Sequence, residues 1–295
     1  MKRIILKRTY TSVKYFVGIV ILCFLVSCTA DKHIVNTFQL DRGNLAYKTG
    51  NELLMRGSYE YALIKFNEAY SFFLLSGSEY NVIASALKNF KVATLLKNVE
   101  VANEWLAKAK IHSAASGNKF NSLILIAEIS AYSNKGEYDK VLDSSSSINL
   151  SNLNDDQKFE TISHQLKASY HTNKDYSEPF EKLAALLPSQ YEFCIRKEHS
   201  NPLIVSAGAY LLASISLDKK NLLKGIDFAQ MAADIDLLFG FIEGSAEDNL
   251  LLAKLYNGVD DTKAKAHYLR AREFFIAIGQ QEKANECLSF LDGIK

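Results

Sequence analysis

One stretch, GNELLMRGSYEYALIKFNEAY (residues 50–70), constrains the fold more than any other part of the chain. It runs small, bulky, turn, aromatic, small, aromatic, small through Gly50, Leu53, Gly57, Tyr59, Ala62, Phe66 and Ala69. Spacings of four and three place Ala62, Phe66 and Ala69 on one face of a helix. Gly57-Ser58 breaks the chain before it, because glycine accepts the left-handed backbone that a helix end often requires. Small residues at Gly50 and Ala62 let two helix backbones approach closely, and Phe66 fills the remaining gap. The stretch therefore reads as a helical hairpin. A hairpin of this kind cannot bury its apolar face alone, so it predicts further copies.

The copies are present, with varying fidelity. VEVANEWLAKAK aligns Ala102, Leu106 and Ala109 with Ala62, Phe66 and Ala69, and GEYDKVLDSSSSI repeats the turn at Gly136 and Tyr138 with Val141 in the small slot. KDYSEPFEKLAAL keeps Tyr176 but puts Pro179 in that slot, which is tolerable only within the first turn of a helix. NLLKGIDFAQMAADI supplies Gly225, Ala229 and Ala232; TKAKAHYLRAREFF supplies Ala264, Tyr268 and Ala271. The small slots fall at 62, 102, 141, 179, 225 and 264, at intervals of 40, 39, 38, 46 and 39. Asn154 with Gln157 forms a capping-box pattern that opens the fourth pair. The terminal QQEKANECLSFLDGIK reads as one more helix, with Ala284, Cys287, Leu288 and Leu291 on one side. Strand alternation is nowhere sustained, and the expected class is all-α.

All seven positions of the first copy resemble the tetratricopeptide repeat, although a period near 39 exceeds the usual 34 of that family. The resemblance implies a right-handed superhelical array of about six helix pairs over residues 41–295, closed by a C-terminal capping helix.

The N-terminus points to a location. Lys2, Arg3, Lys7, Arg8 and Lys14 precede an uncharged run, Tyr15 to Val26. A run this short falls below the roughly 20 apolar residues that span a bilayer, and the charge order fits a secretory signal. Leu25-Val26-Ser27-Cys28 also resembles the lipobox of bacterial lipoproteins. That implies cleavage after residue 27, diacylglyceryl and N-acyl chains on Cys28, and a tether through residue 40. Thr29 and Ala30 differ from an inner-membrane retention signal. The expected place is therefore the outer membrane, facing the periplasm, where the host has two membranes.

Residues 1–27 hold five of the 34 Lys+Arg and none of the 33 Asp+Glu, leaving 29 against 33 and a net charge of −4. That balance argues against nucleic-acid binding, which needs clustered positive charge. Cys194 and Cys287 remain after Cys23 leaves with the signal and Cys28 is acylated; two buried thiols are expected rather than a bridge. The sequence contains no zinc-type Cys/His spacing, GxSxG, GxxxxGK[ST] or GxGxxG, so neither an enzyme, a metal nor a cofactor is expected. Trp105 and AREFFIAIG read as core.

In the resembling family the first helix of each pair lines a concave groove. Transferring that phase from Gly50 gives candidate partner-binding residues Asn44, Tyr47, Asn51, Lys91, His164, His171, Tyr210, Asn249 and Tyr256. Lys91 is the one lysine among them, which argues against clamping a peptide carboxylate. The Tyr, Asn and His content suits extended polypeptide backbone. His164 and His171 lie seven apart, about 10.5 Å along a helix, too far to share an ion. The expectation is a lipid-anchored scaffold for a protein partner of the cell envelope, as in lipoproteins that assist outer-membrane assembly, pilus secretins or cell-wall synthases. The competing expectation is a small-molecule or lipid-binding module, for which LIVSAGAYLLASISL (residues 203–217) could line an apolar cavity instead of forming a deeply buried helix.

Overall fold

The structure, a computed structural model, describes residues 37–199 and 201–293. The signal segment, Cys28 and most of the expected tether lie outside the described residues. Residues 37–40, assigned above to the tether, already belong to the first helix. The described residues form thirteen α-helices in two compact units that divide after Phe120. The first unit holds α1 (residues 37–55), α2 (Tyr59–Ser76), α3 (Glu79–Leu95) and α4 (Val99–Ala115). The second holds α5 (Asn121–Asn134), α6 (Tyr138–Ser146), α7 (Asp155–His171), α8 (Ser177–Ile195), α9 (Pro202–Asp218), α10 (Leu222–Phe239), α11 (Ile242–Tyr256), α12 (Asp261–Ala277) and α13 (Gln281–Gly293). No described helix is long and apolar enough to cross a membrane.

The hairpin turns show what repeats. At the end of α1, Gly57 N–H donates to Leu54 O (3.1 Å) and Ser58 N–H to Leu53 O (2.9 Å). This double closure satisfies carbonyls that the helix end would otherwise leave bare. The same pair of bonds closes α3 around Lys97, α5 around Gly136, α7 around Asn173 and α9 around Lys220. All five central residues have positive φ. Three of them are not glycine, which explains why the repeat fades in sequence where the geometry persists. A side chain in the left-handed region costs roughly 1–2 kcal/mol, and Lys220, at φ 59°, is exposed. Lys220→Gly is therefore expected to raise stability by about 1 kcal/mol; urea denaturation showing no gain would mean that the turn is not strained.

Packing follows the small slots. Ala62, Ala102, Val141, Pro179, Gly225 and Ala264 are all buried. A Cβ at Gly50 would stand 2.8 Å from Phe66 Cε1, the close approach expected from the sequence. In the first unit Ala46, Ala69, Phe73 and Val82 form one core cluster, and Ala62, Phe66 and Val92 another. Trp105 is buried on α4, edge-on to Tyr70 at 5.1 Å; it takes core space beside the aligned Leu106, which is only half-buried.

In the second unit each helix packs on the next, and α5 on α7, α7 on α9, and α9 on α11. The Asn154–Gln157 capping box forms in both directions, at 2.9 and 3.2 Å, and opens α7. Pro179 is the third residue of α8, where its missing N–H has no intrahelical partner to lose. The apolar segment 203–217 is a deeply buried helix: Val205, Ser206, Gly208, Ala209, Leu212, Ala213, Ile215 and Ser216 of α9 all face protein. α13 covers α12, burying Ala284 and Cys287 against Tyr268, Ala271 and Phe275. Cys194 and Cys287 are free, buried thiols. Burial pushes both thiols up, Cys194 to about 12, so they stay protonated and poorly reactive.

Candidate binding faces and a buried acid pair

The predicted groove residues divide by unit. In the first, Asn44 is exposed on α1, while Tyr47 and Asn51 of α1 and Lys91 of α3 are half-buried. Tyr47 is wedged: its ring meets Phe66 edge-on at 5.5 Å and Phe73 at 6.3 Å, and Lys88 Nζ lies 5.9 Å from its centroid. Two core aromatics thus fix a half-open tyrosine under a cation. Such an anchor loses little rotamer freedom when something docks on it.

In the second unit the same transfer fares worse. His164 is buried, and so cannot meet a partner directly. His171, on the last turn of α7, is exposed and stacks flat on Tyr138 at 4.7 Å. The two histidines form no joint site. Asn249 is buried as well: its amide donates to Ser245 O (2.7 Å), leaving Oδ1 to accept from His267 Nδ1 (3.0 Å). That pairing assigns the His267 proton to Nδ1. Burial, then Arg270 and Lys263, lower the His267 pKa, so a neutral imidazole stacks on half-buried Tyr256 at 5.5 Å. Tyr47, His164, Tyr210 and Asn249 all stand fifteen residues before their small slots, and all four are half-buried or buried. This is a packing slot between helices, and of these four only Tyr47 and Tyr210 are open enough for contact.

Tyr210 leads to a feature that the sequence reading missed. Burial raises its hydroxyl pKa, and the carboxylates of Glu247 and Asp248 add to the shift. Asp248 of α11 is 1% exposed and Asp236 of α10 is 3% exposed; the two carboxyls hydrogen-bond to each other, and Ser206 of α9 bonds Asp236. Asp236 Oδ1 and Asp248 Oδ2 have no hydrogen-bond partner among the described residues. Gly244 makes room for the pair, since a Cβ there would fall 1.6 Å from Asp236 Oδ2. Nearby, Glu247 is paired with Lys283 of α13.

Two carboxylates in so dry a place cannot both ionise. Burial pushes Asp236 up to about 6, and burial followed by the charge of Asp236 pushes Asp248 up to about 9. At neutral pH the pair therefore shares one proton. The repeat shows how unusual the place is. Asp236 stands eleven residues after its small slot, where the first and sixth pairs carry the buried Phe73 and Phe275. Phe73 packs on Val82, whereas the position equivalent to Val82 beside Asp236 is the buried Ser245, next to Gly244. The place that holds an aromatic ring in those two pairs holds a carboxyl here.

Among the described residues, no group of three or more His, Cys, Asp or Glu side chains is placed to hold a metal ion. No protein-family description and no curated protein matches the chain.

Proposed function

We propose that the protein is a lipid-anchored, extracytoplasmic scaffold whose helix pairs stack in the tetratricopeptide manner and hold another protein of the cell envelope on the face of their first helices. The observation that carries this reading is the fixed, half-open Tyr47 under Lys88, with Asn44 and Asn51 one turn to either side of it on α1 and half-buried Lys91 on α3. Tyrosine anchors with amide donors and acceptors around them suit a polypeptide partner. The shared double-bonded turns and the buried small slots support the repeat. The lipobox-like Leu25 to Cys28 supports the anchor. Acyl chains on Cys28 restrict the protein to a membrane surface, the outer membrane where the host has two. Its action is display of spaced contacts, with no catalysis and no cofactor.

The test is photo-crosslinking in the native host. A photoreactive residue is placed at Asn44 or Lys91, with exposed Ile111 on α4 as control. A discrete protein adduct from positions 44 and 91, absent from 111 and lost on Lys91→Glu, is the expected result. Equal adducts from all three positions remove the face. A lipid or metabolite adduct without protein moves the reading to a ligand-binding module.

A further inference from the structure

The first helical pair carries apolar side chains on the side that its core does not use. On α2, Tyr61, Ile64, Phe72 and Leu75 recur at helical spacing along one stripe. On α1, Phe38 and Leu45 lie seven apart, with Arg42 between them. The Arg42 guanidinium sits 5.7 Å from the Phe38 ring centroid and 4.3 Å from that of Phe72, which joins the two stripes into one patch. Phe38, Leu45, Tyr61, Ile64 and Leu75 are 61%, 67%, 67%, 59% and 65% exposed. Apolar stripes of this kind, crossed on α2 by the Lys65–Glu68 pair, mark interaction sites. Terminal pairs of stacked-helix proteins ordinarily turn a polar face outward, and this first pair departs from that rule. Charge does not select an ionic partner, because Lys65 is paired with Glu68 and Asp41 accompanies Arg42.

The chain before α1 indicates what covers the patch. Only residues 29–36 separate Cys28 from α1, and at roughly 3.3 Å per extended residue they hold α1 within about 30 Å of an attached lipid. We infer that the outer face of α1 and α2 rests on the lipid surface to which Cys28 is tethered. Phe38, Leu45, Ile64 and Leu75 enter the boundary between headgroups and acyl chains. Arg42 reaches back to lipid phosphates, as long basic side chains do. Tethering makes the contact intramolecular, so a patch too weak to bind membranes alone still engages. The inference rests on the anchor proposed above and adds an orientation: the first pair lies down on the lipid.

The test uses the full chain, made with its own leader in a lipidating host. Phe38→Cys, Leu75→Cys and the control Ile111→Cys are labelled with an environment-sensitive dye. Buried Cys194 and Cys287 are shielded from it. The protein is placed in phosphatidylethanolamine/phosphatidylglycerol vesicles containing doxyl lipids, and the mass of the Cys28 peptide is measured separately. Dyes at 38 and 75 are expected to lose most of their emission while the dye at 111 keeps its own. Equal quenching at all three positions on a lipidated chain overturns the docking and leaves the anchor standing. An unmodified Cys28 overturns both. Dyes shielded equally in detergent, with a doubled molecular mass, assign the face to a second copy of the chain and overturn the lipid contact.

Discussion

Between about pH 7 and pH 8 the unfolding free energy is expected to fall by roughly 1 kcal/mol per pH unit, and Asp248→Asn is expected to remove that slope. In this window the folded chain holds one proton on the Asp236–Asp248 pair, because burial pushes Asp236 up to about 6 and burial together with the Asp236 charge pushes Asp248 up to about 9. The unfolded chain holds none there, since both carboxyls return to their ordinary value of 3.8. A folded state that binds the extra proton loses stability as pH rises, so the contribution is full at acid pH and gone above the folded values. His267 and His199 act in the opposite direction, because burial lowers both and their unfolded forms take up the proton. That opposition fades as pH rises above the ordinary histidine value of 6.5, so the slope is steepest towards the upper end of the window. Asparagine keeps the shape of Asp248 and offers an N–H to Asp236 without a proton to lose. Urea denaturation of both proteins across the window decides the matter: parallel slopes would mean that the pair is not protonated.

Phe66→Ala is expected to destabilise the first unit by about 3–5 kcal/mol, the usual cost of deleting a fully buried phenylalanine. The ring is completely enclosed, touching Tyr47 edge-on and standing where a Cβ at Gly50 would be only 2.8 Å away. That geometry predicts the opposite fault at position 50. Alanine is the better helix former by about 1 kcal/mol, yet Gly50→Ala is expected to destabilise by roughly 1–3 kcal/mol, because the ring has no space to retreat into. The two faults should cancel in part. In Gly50→Ala combined with Phe66→Leu, the smaller side chain admits the new methyl, and the sum of the single losses should exceed the loss in the double variant. Strictly additive losses would refute the steric account.

Sequence was a good guide wherever the fold demands a particular size or backbone geometry. Ala62, Ala102 and Ala264 are small because helix backbones meet there, and Asn154 with Gln157 caps α7 because its first N–H groups need acceptors. It was a poor guide where the demand is on backbone alone. Lys97, Asn173 and Lys220 adopt the left-handed turn without announcing it. The groove was only partly legible. Counting from Gly50 marks one recurring slot, but side-chain size and neighbours decide whether that slot opens outward: Tyr47 is half-open beside Phe66, whereas Asn249 turns inward to His267. The acid pair had a signal that went unread. An aspartate in the phenylalanine position of an amphipathic helix is a buried charge in waiting, and Gly244, eight residues on in α11, marks the space it takes.

The crowding between Gly244 and Asp236 also has an evolutionary consequence. No side chain can be gained at 244 while the Asp236 carboxyl occupies that space. Losing Asp236 first would strand Asp248 in a dry seam with its hydrogen-bonding partner gone. A lineage that has acquired this trio cannot drift back to an apolar seam one neutral step at a time; Asp248 must change before its neighbours are free to. The order of permissible substitutions is thus written into the seam, with position 248 changing before 236 and 244.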